Sequence, residues 1–246
     1  MNYKASLLST GILAASALLT ACGGSSSSSN NSVSDNDQDY VFTVEVTNLT
    51  YAQPLSPPAL VLHDSAYELF SEGSTASLGL EELAESGSNV ALLDEAQADD
   101  AVMQTLAGDS LILPGSSQVF TLRIDAEFEE ELENTQLSLI TMLINTNDAF
   151  TGEKNIDIFQ LEVNQSKSHN GVVWDSGTEE NTESAASIPG PAGNGEGFNS
   201  SRENDIDKIV FHPGVVSADD GLSTSALTQA HRFDQPASRI RITRIQ

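Results

Sequence analysis

The chain has 246 residues, with 36 Asp and Glu against 10 Lys and Arg, for a formal charge of −26. So acidic a polymer repels phosphate backbones, which argues against nucleic-acid binding, and it attracts divalent cations. Its single cysteine, Cys22, excludes disulfides, a zinc–thiolate site and thiol catalysis in the body of the protein.

The first residues read as an address. Lys4 supplies positive charge and residues 7–19 are a short apolar run, which suits a secretory signal better than a spanning helix. Leu19-Thr20-Ala21-Cys22 follows at once, the lipobox pattern of bacterial lipoproteins. Residues 1–21 are therefore expected to be a signal peptide and Cys22 the lipidated residue; an ordinary signal with an incidental cysteine is the alternative. Gly and Ser after Cys22 fit export to the outer membrane, where lipid would hold an acidic chain at a surface that repels it. Residues 22–38 form a Gly/Ser/Asn/Asp tether, spanning roughly 20–25 Å as a random coil. The Asp-rich stretch 35–39 lacks the glycine and the closing acid of an EF-hand loop, since Tyr40 and Val46 stand there.

Residues 39–246 are expected to form one all-β domain. Residues 41–49 alternate as a half-buried strand, and 59–62 form a second strand ending at His63-Asp64. Between 78 and 98 the period becomes helical, predicting two short helices separated by Ser86-Gly87-Ser88. We expect them to cover one edge of the sheet structure, with Glu81, Glu82 and Glu85 on a solvated face. Residues 118–124 are a strand introduced by Pro114-Gly115, and the acidic run 127–133 an exposed connection. Residues 137–144 are an apolar run expected in the middle of a sheet, turning at 145–152 into a polar loop that carries Asp148. A weaker alternation suggests a strand at 156–163. Residues 176–202, rich in Gly, Ser, Asn and Pro, read as a long loop of the kind that is usually functional or disordered. Residues 208–211 and 238–245 supply the last strands, the latter with arginines facing water.

The run LSLITMLINTNDAFTG (137–152) resembles the TM(L/V)VPSPDWFVG segment of the spondin amino-terminal (F-spondin) domain family, and WDSGTEEN (174–181) resembles its YDAGTDSG loop. LSPPALVLHD (55–64), IPGP (188–191) and IVFHPG (209–214) add supporting matches in the same order. The resemblance runs from about Tyr40 onward, in the short bacterial form. It implies a C2-like antiparallel β-sandwich with a short helical insertion, acting in extracellular adhesion toward a protein or glycan partner. It also implies calcium at Asp148, Asp175 and Glu179, three carboxylates on two loops, as a hard cation requires. Glu179 stands where the family has Asp, and Ala149 replaces an aromatic residue. The alternative is that the aspartates merely cap turns.

Two enzyme readings are weaker. Gly108-Asp109-Ser110-Leu111 spells the GDSL word of a serine esterase family, but Pro114-Gly115 prevents the helix that should follow Ser110, and Asp207 and His212 have the wrong spacing. His63, Asp64 and His212 show no zinc or catalytic spacing. A purely structural envelope lipoprotein is the remaining alternative.

Overall fold

A computed structural model describes residues 38–126, 132–201 and 205–246. The expected signal peptide, Cys22, the tether up to residue 37 and most of the acidic connection 127–133 lie outside the described residues. Residues Asn36–Gln246 form one compact unit.

The described chain contains strands β1 (Gln38–Asn48), β2 (Ala59–His63), β3 (Val102–Ala107), β4 (Ser117–Ala126), β5 (Gln136–Met142), β6 (Ala149–Asp157), β7 (Ser166–Asp175), β8 (Val210–Phe211) and β9 (Ser238–Arg244). Helices α1 (Leu78–Ser86) and α2 (Val90–Gln97) stand between β2 and β3. All pairings are antiparallel, in the order β3-β2-β5-β6-β7-β9-β1-β4, with β8 also on β7. One sheet therefore curls into a sandwich. The corner is β7: Ser166–Gly171 pair with β9, whereas Val172–Asp175 pair with β6. The all-β sandwich with a helical insertion is as expected.

The central run behaves as its composition dictates. β5 lies between β2 and β6, and its side chains alternate between two apolar clusters. Leu137 and Leu139 enter the sandwich interior with Phe42, Val44, Leu122 and Ile240. Ile140 and Met142 enter a second cluster with Leu80, Leu83, Leu92, Phe150 and Trp174. A strand buried on both faces has no polar alternation, which is why 137–144 reads as continuous apolar sequence.

That second cluster extends the expected place of the helices. They cover the edge strand β3 and, beyond it, the outer face of β2, β5 and β6, because this face carries Val61, Val102, Ile140, Met142 and Phe150 and has to be buried. α1 starts at Ser77, whose hydroxyl accepts from Leu80 N at 3.2 Å, and ends at the left-handed Gly87. Glu81 and Glu85 are buried rather than solvated, since residues 197–199 lie over the helix and Asn199 N donates to Glu85 Oε2 at 3.3 Å.

Strand assignments around the hairpin also change. Residues 145–152 are only partly loop, because β6 begins at Ala149, and the strand expected at 156–163 ends at Asp157. β3 and the polar first half of β7, SKSHNG, were not foreseen. Their outward faces meet water, so neither carries an apolar alternation strong enough to mark it. Among the described residues no helix is long and apolar enough to cross a membrane.

Candidate functional site

The turn between β5 and β6 and the turn after β7 meet because Ala149 pairs with Asp175 in register. The first turn is built locally: Thr146 Oγ1 donates to Leu143 O (2.6 Å) and accepts from Ala149 N (3.2 Å), which leaves Asp148 pointing inward. Gln53 pins it from outside, its Nε2 donating to Asn145 O at 3.3 Å. Residues 188–191 close over the same turn. A Cβ on Gly190 would come within 2.2 Å of Ile144 O, so the second half of IPGP requires glycine for the approach.

Asp148 is fully buried. Its Oδ2 accepts from Ser176 Oγ (2.9 Å), Thr178 N (3.0 Å) and Glu179 N (3.1 Å), three donors of the neighbouring loop. Among the described residues no N–H or hydroxyl donates to its Oδ1. Asp175, 2 % exposed, accepts from Gly177 N at 2.8 Å through Oδ1 and from Asn181 Nδ2 at 2.6 Å through Oδ2. Gly177 has φ of +73 and sits against Lys208 O, so this turn also needs a residue without Cβ.

The two carboxyls lie close enough to feel each other's charge. Burial, then the charge of Asp175, push the Asp148 carboxyl from its ordinary 3.8 up to about 8, despite its three donors. Burial likewise raises Asp175. Two buried carboxylates side by side cannot both ionise without a cation, so the pair retains a proton near neutrality.

Glu179 contributes its backbone N–H to Asp148, while its Oε1 accepts from Asn147 Nδ2 at 3.2 Å. The structure thus brings Asp148 and Asp175 together and directs the Glu179 carboxylate toward Asn147. Among the described residues no group of three or more His, Cys, Asp or Glu side chains is arranged as a metal site. Two adjacent buried carboxylates, one with an oxygen that no described residue serves, are nonetheless hard oxygen donors of the kind a calcium ion takes. The turn-capping role is real as well: both aspartates hold loop backbone. Capping alone leaves the buried Asp148 Oδ1 and the adjacent like charge without a purpose.

Two further groups stand beside the pair: Glu183, which was not singled out from sequence, and His212, which was considered there only as a zinc or catalytic candidate. Glu183 is buried, and burial pushes its carboxyl up to about 7. His212, buried, accepts from Gly214 N at its Nδ1 (2.9 Å) and therefore donates from Nε2 to Asn181 Oδ1 (3.1 Å). Burial pushes its pKa down to about 4, so it is neutral and orients Asn181 toward Asp175. Glu183 stands in no recognisable motif; His212 belongs to IVFHPG, but only proximity in three dimensions marks its role beside Asn181.

The enzyme readings find no geometry. Ser110 lies exposed in the β3–β4 connection. His63 is buried, its Nδ1 donating to Asp64 O at 2.7 Å and its Nε2 bonded to Ser138 Oγ at 2.8 Å, while the Asp64 carboxylate accepts from Ala66 N.

The fold and the site define a helix-backed antiparallel β-sandwich domain with paired acidic turns at one end. The chain belongs to the Spondin_N family, whose model matches residues 52–212. That span holds Asp148, Asp175 and Glu179 and both turns that carry them, and the family is one of non-catalytic domains. No curated protein matches the chain.

Proposed function

We propose that this is a non-enzymatic lipoprotein of the bacterial cell envelope, anchored by lipid on Cys22, whose spondin domain binds calcium and acts in adhesion. The observation that carries the calcium reading is the buried Asp148–Asp175 pair with its unserved oxygen. Asp148 and Asp175 hold the ion, and Glu179, engaged with Asn147, is a secondary ligand. Calcium supplies the positive charge that the pair otherwise obtains from a proton. The chain's own groups do the rest: Ser176, Thr178 and Glu179 fix one oxygen of Asp148, Gly177 and Asn181 fix Asp175, and His212 orients Asn181. Binding would tighten residues 176–201 and shape the loop end toward a protein or glycan partner.

Thermal unfolding of the chain in chelator, in millimolar calcium and in magnesium tests this. A ligand present at about 100 times its Kd stabilises the folded state by roughly 2.7 kcal/mol. A calcium-selective rise in midpoint, lost in Asp175→Asn, is expected; equal midpoints in all three solutions would remove calcium from the reading. Cys22→Ala should shift the protein from the membrane to the soluble fraction of cells, and retention on the membrane would count against the lipid anchor.

A further inference from the structure

We propose that the cleft beside Glu183 receives a primary alkylammonium group, carried by a free amine or by a lysine side chain. The backbone of Glu183 is fixed in the left-handed region, with φ of 55, which a non-glycine residue adopts only when its surroundings impose it. Asn147 Oδ1 accepts from Glu183 N at 3.3 Å, and Glu183 O accepts from Ala226 N at 2.8 Å. Glu183 is one of the residues that line a cleft of about 360 Å³, with Asn181, Pro213, Val215, Val216, Asp220 and Arg232. Glu183 is 1 % exposed; its Oε1 accepts from Val216 N at 3.1 Å and its Oε2 receives nothing.

Among the described residues no polar neighbour in the cleft supplies the missing donor. The Asn181 amide is committed to Asp175 at one end and to His212 at the other. Arg232 Nη1 is held by Asp220 Oδ1 at 2.8 Å, and Asp220 Oδ2 caps Ser217. A buried carboxylate oxygen without a donor is costly, and a ligand that brings both N–H and positive charge relieves it.

The geometry selects among cations. One free carboxylate oxygen is too few for calcium, which takes six to eight oxygens. A guanidinium binds best to two oxygens side by side, and Oε1 is already used. A primary ammonium is compact, needs one strong acceptor, and leads into a methylene stem that suits walls of Pro213, Val215 and Val216. The acidity of the chain raises the local concentration of such cations. Because burial raises the Glu183 carboxyl, the bound ammonium would also keep it ionised.

The test is calorimetric titration of the full chain at pH 8 with n-butylammonium and, separately, with Nα-acetyl-lysine N-methylamide. Butyltrimethylammonium, which has no N–H, is the control, and each titration is run in chelator and again in calcium. Saturable 1:1 binding of the primary amines alone is expected. Glu183→Gln should weaken it by at least about tenfold, the loss of one charge-assisted hydrogen bond. Val216→Trp, which fills the cleft from its half-exposed wall, should do the same and serves if Glu183→Gln fails to fold. Tighter binding of the lysine derivative assigns the site to a lysine-bearing partner; equal binding assigns it to free amines. No saturable heat, equal binding of the quaternary amine, or unchanged affinity in the folded variants would overturn the proposal. A result independent of calcium separates this site from the Asp148–Asp175 pair.

Discussion

Asp148→Asn is the most informative single change. In the folded protein the Asp148 carboxyl titrates at about 8, from an ordinary 3.8, chiefly because it is buried and then because Asp175 adjoins it. An acid with a raised folded pKa holds its proton more tightly folded than unfolded. Without a cation, its contribution is therefore most favourable below about pH 4 and is lost as pH rises toward about 8. Each pKa unit corresponds to about 1.4 kcal/mol, so the pair costs the calcium-free domain several kcal/mol on the alkaline side. The asparagine carbonyl can accept from Ser176 Oγ, Thr178 N and Glu179 N as Asp148 Oδ2 does, while its amide donates toward Asp175. In chelator at pH 9 the variant should be more stable than the parent by about 2 kcal/mol. For a domain of this size, that is roughly 4–8 °C in midpoint. At pH 5 the two should nearly coincide, and in calcium the order should reverse. Denaturant melts at pH 5, 7 and 9, with and without calcium, supply the comparison, and the difference between proteins isolates this group from the rest of the charge. A variant less stable than the parent at pH 9 in chelator, or one with an unchanged pH slope, would show that the carboxyls do not share a proton.

Two further outcomes are expected. Glu179→Gln keeps the hydrogen bond to Asn147 and the backbone donation to Asp148, so calcium affinity should fall by less than in Asp148→Asn; an equal loss by calorimetry would make Glu179 a direct ligand of the same rank. Leu139→Ala, on the sandwich face of the central strand and fully buried, should cost about 2–5 kcal/mol in urea unfolding, and a cost under about 1 kcal/mol would mean that this face is not a packed core.

The sequence exposes what periodicity and composition can encode. β1, β2, β4, β5 and β9 each carry an apolar face or run, and α1 and α2 carry a helical period with a cap at each end of α1. β7 escapes because its first half is polar and its second apolar, and no window of one period covers a strand that turns a corner between β9 and β6. The helices were legible as helices, and so was their cover of one edge, but not how far they reach across the face. Which face they bury depends on Ile140, Met142 and Phe150 all projecting to the same side, a fact of register between strands. Of the site, Asp148 and Asp175 were readable from turn chemistry and family resemblance. Glu183 was not, since a buried carboxylate in a Ser/Glu/Asn-rich loop looks the same in sequence as an exposed one; His212 was visible in IVFHPG, but its role in orienting Asn181 was not.

The turn-capping and cation-binding readings of the aspartates need not compete, because they use different oxygens. Asp148 Oδ2 takes three donors from residues 176–179 and so ties the second loop to the first. Oδ1 takes none. A residue selected only to cap a turn has no reason to be carried into full burial next to another carboxylate, where the unserved oxygen and the like charge both oppose folding. The same arrangement becomes favourable once a cation is present, since the ion answers both costs at one point. Loop order and cation occupancy are then the same equilibrium, and chelation should loosen the backbone of residues 176–179 before it affects the sheet. Amide exchange resolves this: faster exchange of Thr178 and Glu179 in chelator, with Leu139 and Ile140 unchanged, is the expected pattern, and uniform acceleration would place the effect in global stability instead.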